Sequence, residues 1–321
     1  MDSTTTKPQI SYDMSPYLIE YTDGTIQRLA GSERVHPGFD SRTGVTSKDI
    51  LINPKLPARI YTPTITSYTN HKLPIVIYFH GGAYVIASPA FPLYHTFCNN
   101  LVASANVILV SVDYRLAPEH PLPAAYDDAW DATQWVAAHA DGDGPEQWLN
   151  EGVDYNKIFL SGDSAGSTLA HHVSCRVTKS CFDEKVSIEG MILIHPYFWG
   201  KDPIGSEIND PRKEMVDRWW LYVCPTDKGC DDPLINPFSD EAPRLETITC
   251  NRVIVLVAEK DILSERGKYY YEGVTKSGWN GKAEYYVSEG QDHVFHIFDP
   301  DCKKAVDMKT TIASFINQEI D

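Results

Sequence analysis

The residues with the clearest chemical potential are a serine between two glycines and, further along the chain, an aspartate and a histidine. Ser164 lies in the segment Gly162-Asp-Ser-Ala-Gly166, between a predicted strand and a predicted helix. The two glycines allow a sharp turn that would present the serine hydroxyl at the end of the strand. A hydroxyl becomes a good nucleophile only when a base removes its proton. This segment therefore predicts a nucleophilic serine that needs a partner.

Two later segments supply the partners in the order Ser, Asp, His. Asp261 follows a predicted buried strand, and His293 lies 32 residues further on. We expect His293 to be the base and Asp261 to orient its imidazole ring. Asp292 is adjacent to His293 in sequence and would have difficulty reaching its ring, and Glu259 precedes the expected strand end. His296 is an alternative base, one helical turn away.

A loop of small residues follows an earlier strand and offers backbone donors. Its sequence is His80-Gly-Gly-Ala-Tyr84, so its N–H groups can approach a tetrahedral oxyanion closely. The amide after the serine, at the start of the predicted helix, points to the same place. The residues expected to supply oxyanion donors are Gly81, Gly82, Ala83 and Ala165. His80 is interpreted as a histidine that organises the loop through hydrogen bonds, because His293 already supplies the base.

The rest of the sequence predicts the elements that must bring these residues together. Short β-branched apolar runs, typical of strands buried on both faces, lie at 74–79, 107–112, 157–161, 191–194 and 252–257. Helical patterns alternate with them at about 90–104, 123–140, 165–178, 264–278 and 303–318. Two earlier segments, near 49–53 and 58–62, alternate like half-buried antiparallel strands. The order predicts an α/β fold with a mainly parallel central sheet and helices on both faces.

One domain is expected to span residues 1–321, with two segments outside the alternation of strand and helix. The N-terminal arm, about residues 1–45, is polar and predicted to hold at most short helices, with the first eight residues disordered. An insertion at about 199–247 carries tryptophans, prolines and many charges without strand-like runs. Open α/β sheets bind ligands at the carboxyl edge of the strands, so we expect the arm and the insertion to form a cap there.

The overall composition narrows the possible partners and location. The 321 residues carry a net charge of −16, which disfavours nucleic acid and anionic membrane surfaces as partners. The chain begins without a basic segment followed by an apolar one, so we predict no signal peptide and a cytoplasmic location. Its seven cysteines lack CxxC pairing and predict neither a disulfide framework nor a zinc site. No metal or organic cofactor is expected, and the oligomeric state is left open.

Candidates for the walls of a substrate pocket adjoin the catalytic loops or lie in the insertion. They are Tyr84, Val85, His195, Tyr197, Phe198, Trp219, Leu263 and Val294. Packing in the core is the alternative interpretation for each of them.

A fourth motif joins the three already described and carries a resemblance to a known family. It is Asp113-Tyr-Arg-Leu-Ala-Pro-Glu-His-Pro-Leu-Pro-Ala-Ala-Tyr-Asp127. The set resembles the hormone-sensitive-lipase branch of the α/β hydrolases and, more narrowly, the plant carboxylesterases, over nearly the whole chain. The resemblance implies an α/β-hydrolase fold with a helical cap and a catalytic triad of Ser164, Asp261 and His293. It also implies hydrolysis of small, fairly apolar esters of plant specialised metabolism through an acyl-enzyme.

One departure from the family pattern leaves an alternative open. Most members have a third glycine where this chain has Ala83, and the same change occurs in hydroxyisoflavanone dehydratases and related plant enzymes that carry out eliminations or cyclisations. A dehydratase or cyclase that uses His293 as a proton shuttle is therefore the alternative. Those dehydratases tend to carry threonine at the nucleophile position, so Ser164 favours the esterase. A ligand-binding protein like the gibberellin receptor is a remote alternative, since that receptor lacks the triad histidine.

Overall fold

Twelve strands are seen in a computed structural model that describes residues 8–64, 72–177, 181–182 and 184–318. The expected disorder of the first residues falls almost wholly outside this described part. In chain order the strands are β1 Ile10–Met14, β2 Leu18–Tyr21, β3 Ile26–Arg28, β4 Phe39–Asp40, β5 Val45–Asn53, β6 Leu56–Pro63, β7 Leu73–Phe79, β8 Ile108–Val112, β9 Val153–Asp163, β10 Ile188–Ile194, β11 Arg252–Ala258 and β12 Lys282–Ser288.

The central sheet contains nine of these strands in the order β12-β11-β10-β9-β7-β8-β6-β5-β4. From β12 to β8 every pair is parallel, whereas β8, β6, β5 and β4 pair antiparallel. Every residue of β8, β10 and β11 is buried, as is typical of strands covered on both faces. The predicted α/β fold with a mainly parallel sheet is confirmed.

Helices cover both faces of the sheet, as the alternation predicted. They are α1 Pro92–Ala105, α2 Ala124–Ala137, α3 Gln147–Gly152, α4 Ala165–Arg176, α5 Lys213–Val223, α6 Ser264–Lys276, α7 Phe295–Phe298 and α8 Lys303–Asn317. Apolar side chains of α1 and α8 pack in one core cluster, and those of α2, α4 and α6 in the other. The five helices expected from periodicity agree with the structure to within three residues at each end.

The carboxyl ends of the parallel strands β7, β9, β10, β11 and β12 meet at one edge of the sheet. Shortly after those ends come, in the same order, Gly81, Ser164, His195, Asp261 and His293. This edge therefore brings together residues that are more than 200 positions apart in the sequence, from Gly81 to His293.

The N-terminal arm differs from the prediction of short helices. Its strands β1, β2 and β3 form a separate antiparallel sheet that packs against α5 of the insertion. The ring of Tyr12 stacks on that of Tyr222 at 4.2 Å, Tyr17 packs against Trp219 at 4.9 Å, and the Tyr222 hydroxyl donates to Glu20 over 2.9 Å. These strands are at most five residues long and depend on contacts with distant residues, so the local pattern did not reveal them.

Two structural absences can be stated for the described part of the chain. No helix there combines the length and the apolar character that are needed to cross a bilayer. The seven cysteines, all of which are described, form no disulfide bond.

A buried ion pair fastens the insertion to the sheet domain. Arg266 of α6 donates from Nε and Nη2 to the two carboxylate oxygens of Glu207 over 2.7 and 2.8 Å. Arg266 also donates to the carbonyl of Asp202, and Glu207 accepts a further bond from the Ile204 N–H. The pair is almost completely excluded from water, with side chains 7% and 0% exposed. Loss of one partner would therefore leave the other charge buried without compensation.

We predict that Glu207→Leu lowers the free energy of unfolding by about 3–5 kcal/mol, because it strands the Arg266 guanidinium. The control is Glu272→Leu, which removes an exposed pair with Lys276 whose side chains are 75% and 42% exposed. That control should change stability by less than about 0.5 kcal/mol. Urea unfolding of both variants measures the difference, and equal losses would contradict a special role for the buried pair.

Candidate active site

Ser164 lies at a sharp turn between β9 and α4 that only glycine neighbours permit. Its backbone has φ of 51° and ψ of −121°, an unusual conformation for a residue with a side chain. A Cβ on Gly166 would come within 1.8 Å of the Phe79 carbonyl oxygen, and one on Gly162 within 2.3 Å of the Gly166 carbonyl carbon. The Ser164 N–H donates to the Ile194 carbonyl over 2.9 Å, which fixes the turn to the neighbouring strand.

The side chains of Ser164, His293 and Asp261 form one hydrogen-bonded chain. His293 Nδ1 is 2.7 Å from Asp261 Oδ2, and His293 Nε2 is 2.9 Å from Ser164 Oγ. The buried Asp261 carboxylate also accepts from the Leu263 N–H over 2.9 Å. With Nδ1–H donating to Asp261, Nε2 is free to accept the serine proton. The three residues singled out from the sequence thus meet in a geometry suited to activating a hydroxyl.

The electrostatics of this chain favour a charged Asp261 and a basic His293. Burial lowers the pKa of His293, but the charge of Asp261 and its hydrogen bond outweigh burial, so the net pKa lies above its usual value of 6.5. Burial raises the pKa of Asp261, yet the same contact with His293 holds it below its usual value. Asp261 is therefore ionised over the neutral pH range and strengthens the base.

In the loop after β7, one backbone N–H is hydrogen-bonded within the protein and two others lie at the cavity. The N–H of Gly81 is directed toward the Tyr94 hydroxyl at 2.9 Å and Asp163 Oδ1 at 3.0 Å. It already has acceptors, which corrects the expectation that it is available to an oxyanion. The N–H groups of Gly82 and Ala83 have no acceptor within the described residues, and both residues line the cavity.

A buried carboxylate that sequence reasoning missed fixes this loop. Asp163, the residue before the serine, accepts from the hydroxyls of Tyr78 and Tyr94 over 2.6 and 2.8 Å, besides the Gly81 N–H. Burial raises the pKa of Asp163, and these hydrogen bonds reduce that rise. The signal in the sequence was a charged residue directly after the predicted buried strand at 157–161, because such a charge needs several donors when it is buried.

His80 has the organising role that the sequence suggested. Its Nδ1 donates to the Gly81 carbonyl over 2.7 Å, and its ring stacks on Tyr114 at 4.3 Å. Burial lowers the pKa of His80 to about 4, so the ring is neutral at physiological pH. Its neutral ring and its contacts with Gly81 and Tyr114 make His80 a part of the loop rather than a second base.

The competing acids have other hydrogen-bond partners, and the competing base is buried with no hydrogen bond to its ring among the described residues. Asp292 accepts from the backbone N–H of His293 over 2.7 Å and pairs with Arg212 at 3.8 Å. Glu259 accepts from the backbone N–H of Gly290 over 2.6 Å. The His296 ring is buried, and burial lowers its pKa to about 3. None of these three shares a side-chain hydrogen bond with Ser164 in the described structure.

A cavity of about 590 Å³ opens beside Ser164. Besides the hydrogen-bonded chain, its walls come from the arm, the loop after β7, α1, the segments after β10 and β11, the insertion and α7. The lining residues include Pro16, Tyr17, Ala30, Gly31, Gly82, Ala83, Ile86, Ala87, Phe91, Tyr94, Tyr197, Arg212, Met215, Val216, Trp219, Ile262, Leu263, Val294, Ile297 and Phe298. Most of these side chains are apolar. A cavity with this lining suits a small apolar ligand with a few polar groups.

Four of the eight residues expected in the pocket walls lie there, and four lie behind them. Those in the walls are Tyr197, Trp219, Leu263 and Val294. Those behind the walls, buried in the core, are Tyr84, Val85, His195 and Phe198. Tyr84, for example, shares a hydrogen bond of 2.8 Å with the Tyr126 hydroxyl, and Phe198 stacks on Tyr270 at 4.5 Å. The direction of a side chain just beyond the end of a strand decides whether it lines the cavity or packs in the core. The position of the residue in the sequence does not fix that direction.

One group of possible metal ligands occurs among the described residues, and it overlaps the hydrogen-bonded chain. A ring nitrogen of His195, one of His293 and an oxygen of Asp261 lie within 4.8 Å of one another. His293 is hydrogen-bonded to Asp261 through one ring nitrogen and to Ser164 through the other. This arrangement is suited to transfer of the Ser164 proton to His293.

The sheet, the turn at Ser164 and the hydrogen-bonded chain define an α/β hydrolase of the serine type. A family model described as alpha/beta hydrolase fold matches residues 76–297, and the chain belongs to that family.

Curated relatives are similar over almost the whole chain. Probable carboxylesterase 2 of Arabidopsis thaliana is 53% identical over 98% of both chains. Tuliposide A-converting enzyme 1, chloroplastic, of Tulipa gesneriana is 42% identical over 97% of this chain and 79% of its own. The 2-hydroxyisoflavanone dehydratase of Glycyrrhiza echinata is 42% identical over 98% of both. Among solved structures, a hyperthermophilic esterase from the archaeon Pyrobaculum calidifontis superposes with a TM-score of 0.69 at 28% identity over 84% of each chain.

We predict that the His293 imidazole titrates with a midpoint above 6.5, and that Asp261→Asn lowers this midpoint because it removes the charge and leaves the burial. The fraction of His293 able to accept the Ser164 proton then rises as the pH rises through that midpoint. NMR titration of the ring measures both values.

Asp292→Asn is the control for this titration. Its carboxylate is bound to the His293 backbone rather than to the ring, and its charge raises the pKa of His293 less than the charge of Asp261 does. A larger shift from Asp292→Asn than from Asp261→Asn would contradict the assignment.

Proposed function

We propose that the protein is a serine carboxylesterase that hydrolyses small, fairly apolar esters of the kind found in plant specialised metabolism. The observation that carries the proposal is the 2.9 Å approach of Ser164 Oγ to His293 Nε2 at the wall of a mainly apolar cavity. A carboxylesterase relative at 53% identity and an esterase of the same fold support it.

The first half of the proposed reaction forms an acyl-enzyme. Ser164 Oγ attacks the ester carbonyl carbon while His293 Nε2 takes the hydroxyl proton, and Asp261 stabilises the resulting imidazolium. The carbonyl oxygen becomes an oxyanion, which accepts hydrogen bonds from the N–H groups of Gly82, Ala83 and Ala165. The carbon–oxygen bond to the alcohol then breaks, and His293 gives its proton to the leaving alcohol.

The second half releases the acid by the same groups. Water attacks the acyl carbon while His293 Nε2 takes a proton from it, and the oxyanion binds the same backbone donors. The bond to Ser164 Oγ breaks, the proton returns from His293 to Oγ, and the carboxylic acid leaves. Each step uses only side chains and amides of this chain, and no cofactor takes part in the proposed reaction.

The lining of the cavity supports the expected cap and the expected class of substrate. Tyr17 of the arm and Trp219 of the insertion face the cavity and pack against each other. We therefore assign the arm (residues 1–45) and the insertion (199–247) as the cap of a single domain that spans residues 1–321. Arg212 at the cavity wall is bound by Asp210 at 2.8 Å and lies 3.8 Å from Asp292, so carboxylates of the protein already match its charge and the mainly apolar site favours uncharged substrates.

Elimination or cyclisation is the second candidate, and one observation favours it. Ala83 has a left-handed backbone with φ of 52°, so its methyl group limits the loop where most members of the family have glycine. The similarity to a 2-hydroxyisoflavanone dehydratase points the same way. In this reaction His293 would move a proton and the loop amides would stabilise an enolate, without an acyl-enzyme.

The location of the protein and its binding partners are part of the proposal. The cytoplasmic location predicted from the sequence stays a prediction, since one relative is named chloroplastic and the described helices establish only that none of them suits a bilayer. A small-molecule ester is the proposed partner, with no nucleic acid or membrane surface, given the net charge of −16. A fluorescent fusion of the chain tests the location directly.

Ser164→Ala should reduce kcat for a short-chain aryl ester by at least about 10⁴-fold, because it removes the nucleophile. A matched control is Ser161→Ala, which changes a buried serine three positions earlier in β9 whose hydroxyl has no hydrogen-bond partner among the described residues. An organophosphonate should label Ser164 in the native chain and in the control. Esterase activity surviving in Ser164→Ala would refute the nucleophile, and absence of both turnover and labelling in the native chain would leave the elimination as the leading function.

Ala83→Gly should raise kcat/KM for esters of branched acids relative to the acetate by about tenfold, the usual value of one methyl group in an apolar site. The reason is that glycine removes the methyl from the cavity wall and also accepts the left-handed backbone. Steady-state kinetics with a matched series of aryl esters measures the ratio. An unchanged ratio would show that the Ala83 methyl does not limit acyl groups.

A further inference from the structure

His195 is a buried histidine at the active edge that the proposed reaction does not use. It follows β10 directly, and its N–H donates to the Leu256 carbonyl of β11 over 2.7 Å. Its side chain is shielded from solvent, with the residue 1% exposed. Its ring nitrogen Nδ1 accepts from the backbone N–H of Val294 over 2.9 Å. Val294 is the residue directly after His293, so this bond joins the strand edge to the turn that carries the base.

That turn has a backbone conformation that needs external support. Val294 has φ of 45° and ψ of 30°, the left-handed region, which a β-branched residue strongly disfavours. Such conformations persist only when surrounding contacts enforce them, and they concentrate at functional sites. The His195 ring supplies two contacts: the Nδ1 bond to Val294, and a stack on the Phe295 ring at 5.7 Å.

The charge state of His195 suits this position. Burial lowers the pKa of His195 well below its usual value, with the neighbouring His296 and His293 acting in the same direction and Asp261 acting against them. The ring is therefore neutral across the physiological pH range. It adds no positive charge beside His293, whose ring centre is 6.0 Å away and which must itself take up a proton.

We propose that His195 is a positioning residue, whose neutral Nδ1 acceptor fixes the turn after His293 and so aims His293 Nε2 at Ser164 Oγ. The inference rests on the proposed esterase function. It concerns the rate of the chemical step, since His195 lies behind the residues that line the cavity. A base that is misplaced by about 1 Å can lose about 100-fold in rate.

Two substitutions separate the acceptor from the bulk of the ring. His195→Leu replaces the ring with an apolar side chain of similar size and so removes the acceptor. His195→Asn places an amide oxygen near the position of Nδ1 and tolerates the left-handed backbone that His195 adopts, with φ of 46°. We expect kcat, and the rate of phosphonate labelling of Ser164, to fall about 100-fold in His195→Leu with KM nearly unchanged. In His195→Asn both rates should recover to within about tenfold of the native chain.

His171→Leu is the matched control for loss of a buried, hydrogen-bonded histidine. Its Nδ1 lies 2.9 Å from the Tyr270 hydroxyl, away from the cavity walls. It should lower the melting temperature and leave kcat per folded molecule unchanged. The proposal is overturned if His195→Leu retains native kcat, if its loss appears in KM alone, or if His195→Asn is as slow as His195→Leu.

A measurement on the native chain covers the case in which His195→Leu fails to fold. With Nδ1 as acceptor, His195 must carry its proton on Nε2, and it should keep that tautomer throughout the pH range in which His293 titrates. Nitrogen-15 NMR of labelled histidines reports the tautomer directly. A proton on Nδ1 of His195 would overturn the proposal, because that nitrogen could then not accept.

The two proposals fail in distinguishable ways. If the native chain neither turns over aryl esters nor labels at Ser164, the esterase function fails. If the native chain does both and His195→Leu matches it, only the positioning role fails.

Discussion

The turn between β9 and α4 passes so close to the end of β7 that the Gly166 Cα lies against the Phe79 carbonyl, with no room for a side chain. This contact sets the distance between the nucleophile turn and the loop that begins at His80. The start of α4 and the turn at Ser164 therefore lie directly beside the small residues of that loop. Without that approach, the serine would still have a base, but the amides proposed to bind the oxyanion would lie too far away.

A buried carboxylate completes the same junction. Asp163 belongs to the nucleophile turn, yet it binds Gly81 of the loop and two tyrosines, one from β7 and one from α1. Four segments thus share one acid, and each donor offsets part of the cost of burying it. The arrangement also explains why the Gly81 amide is occupied: it holds the loop in place so that the next two amides remain available.

Local chain order made part of the site predictable. The glycines around Ser164 and the position of Asp261 are readable because they follow strands with plain apolar runs, and His293 is readable because it comes after them in the order Ser, Asp, His. The prediction from sequence fails where contacts between distant residues determine the local structure. The arm forms a sheet in which Tyr12 stacks on the distant Tyr222. The Gly81 N–H is directed toward Asp163 and is not available to a ligand. His195 points behind the cavity wall although it follows its strand as directly as Ser164 does. In each case the deciding partner is many residues away, and a pattern of a few residues carries no information about it.

The cavity wall draws on segments that take no part in the central sheet. Tyr17 comes from the arm and Trp219 from α5, while the hydrogen-bonded chain is anchored to strand ends. Shape selection and bond-breaking chemistry are therefore encoded in separate stretches of the gene. Duplicated copies could diverge in the first set and acquire new substrates while the second set remains intact, so a scaffold of this kind is well suited to founding a large and chemically varied lineage.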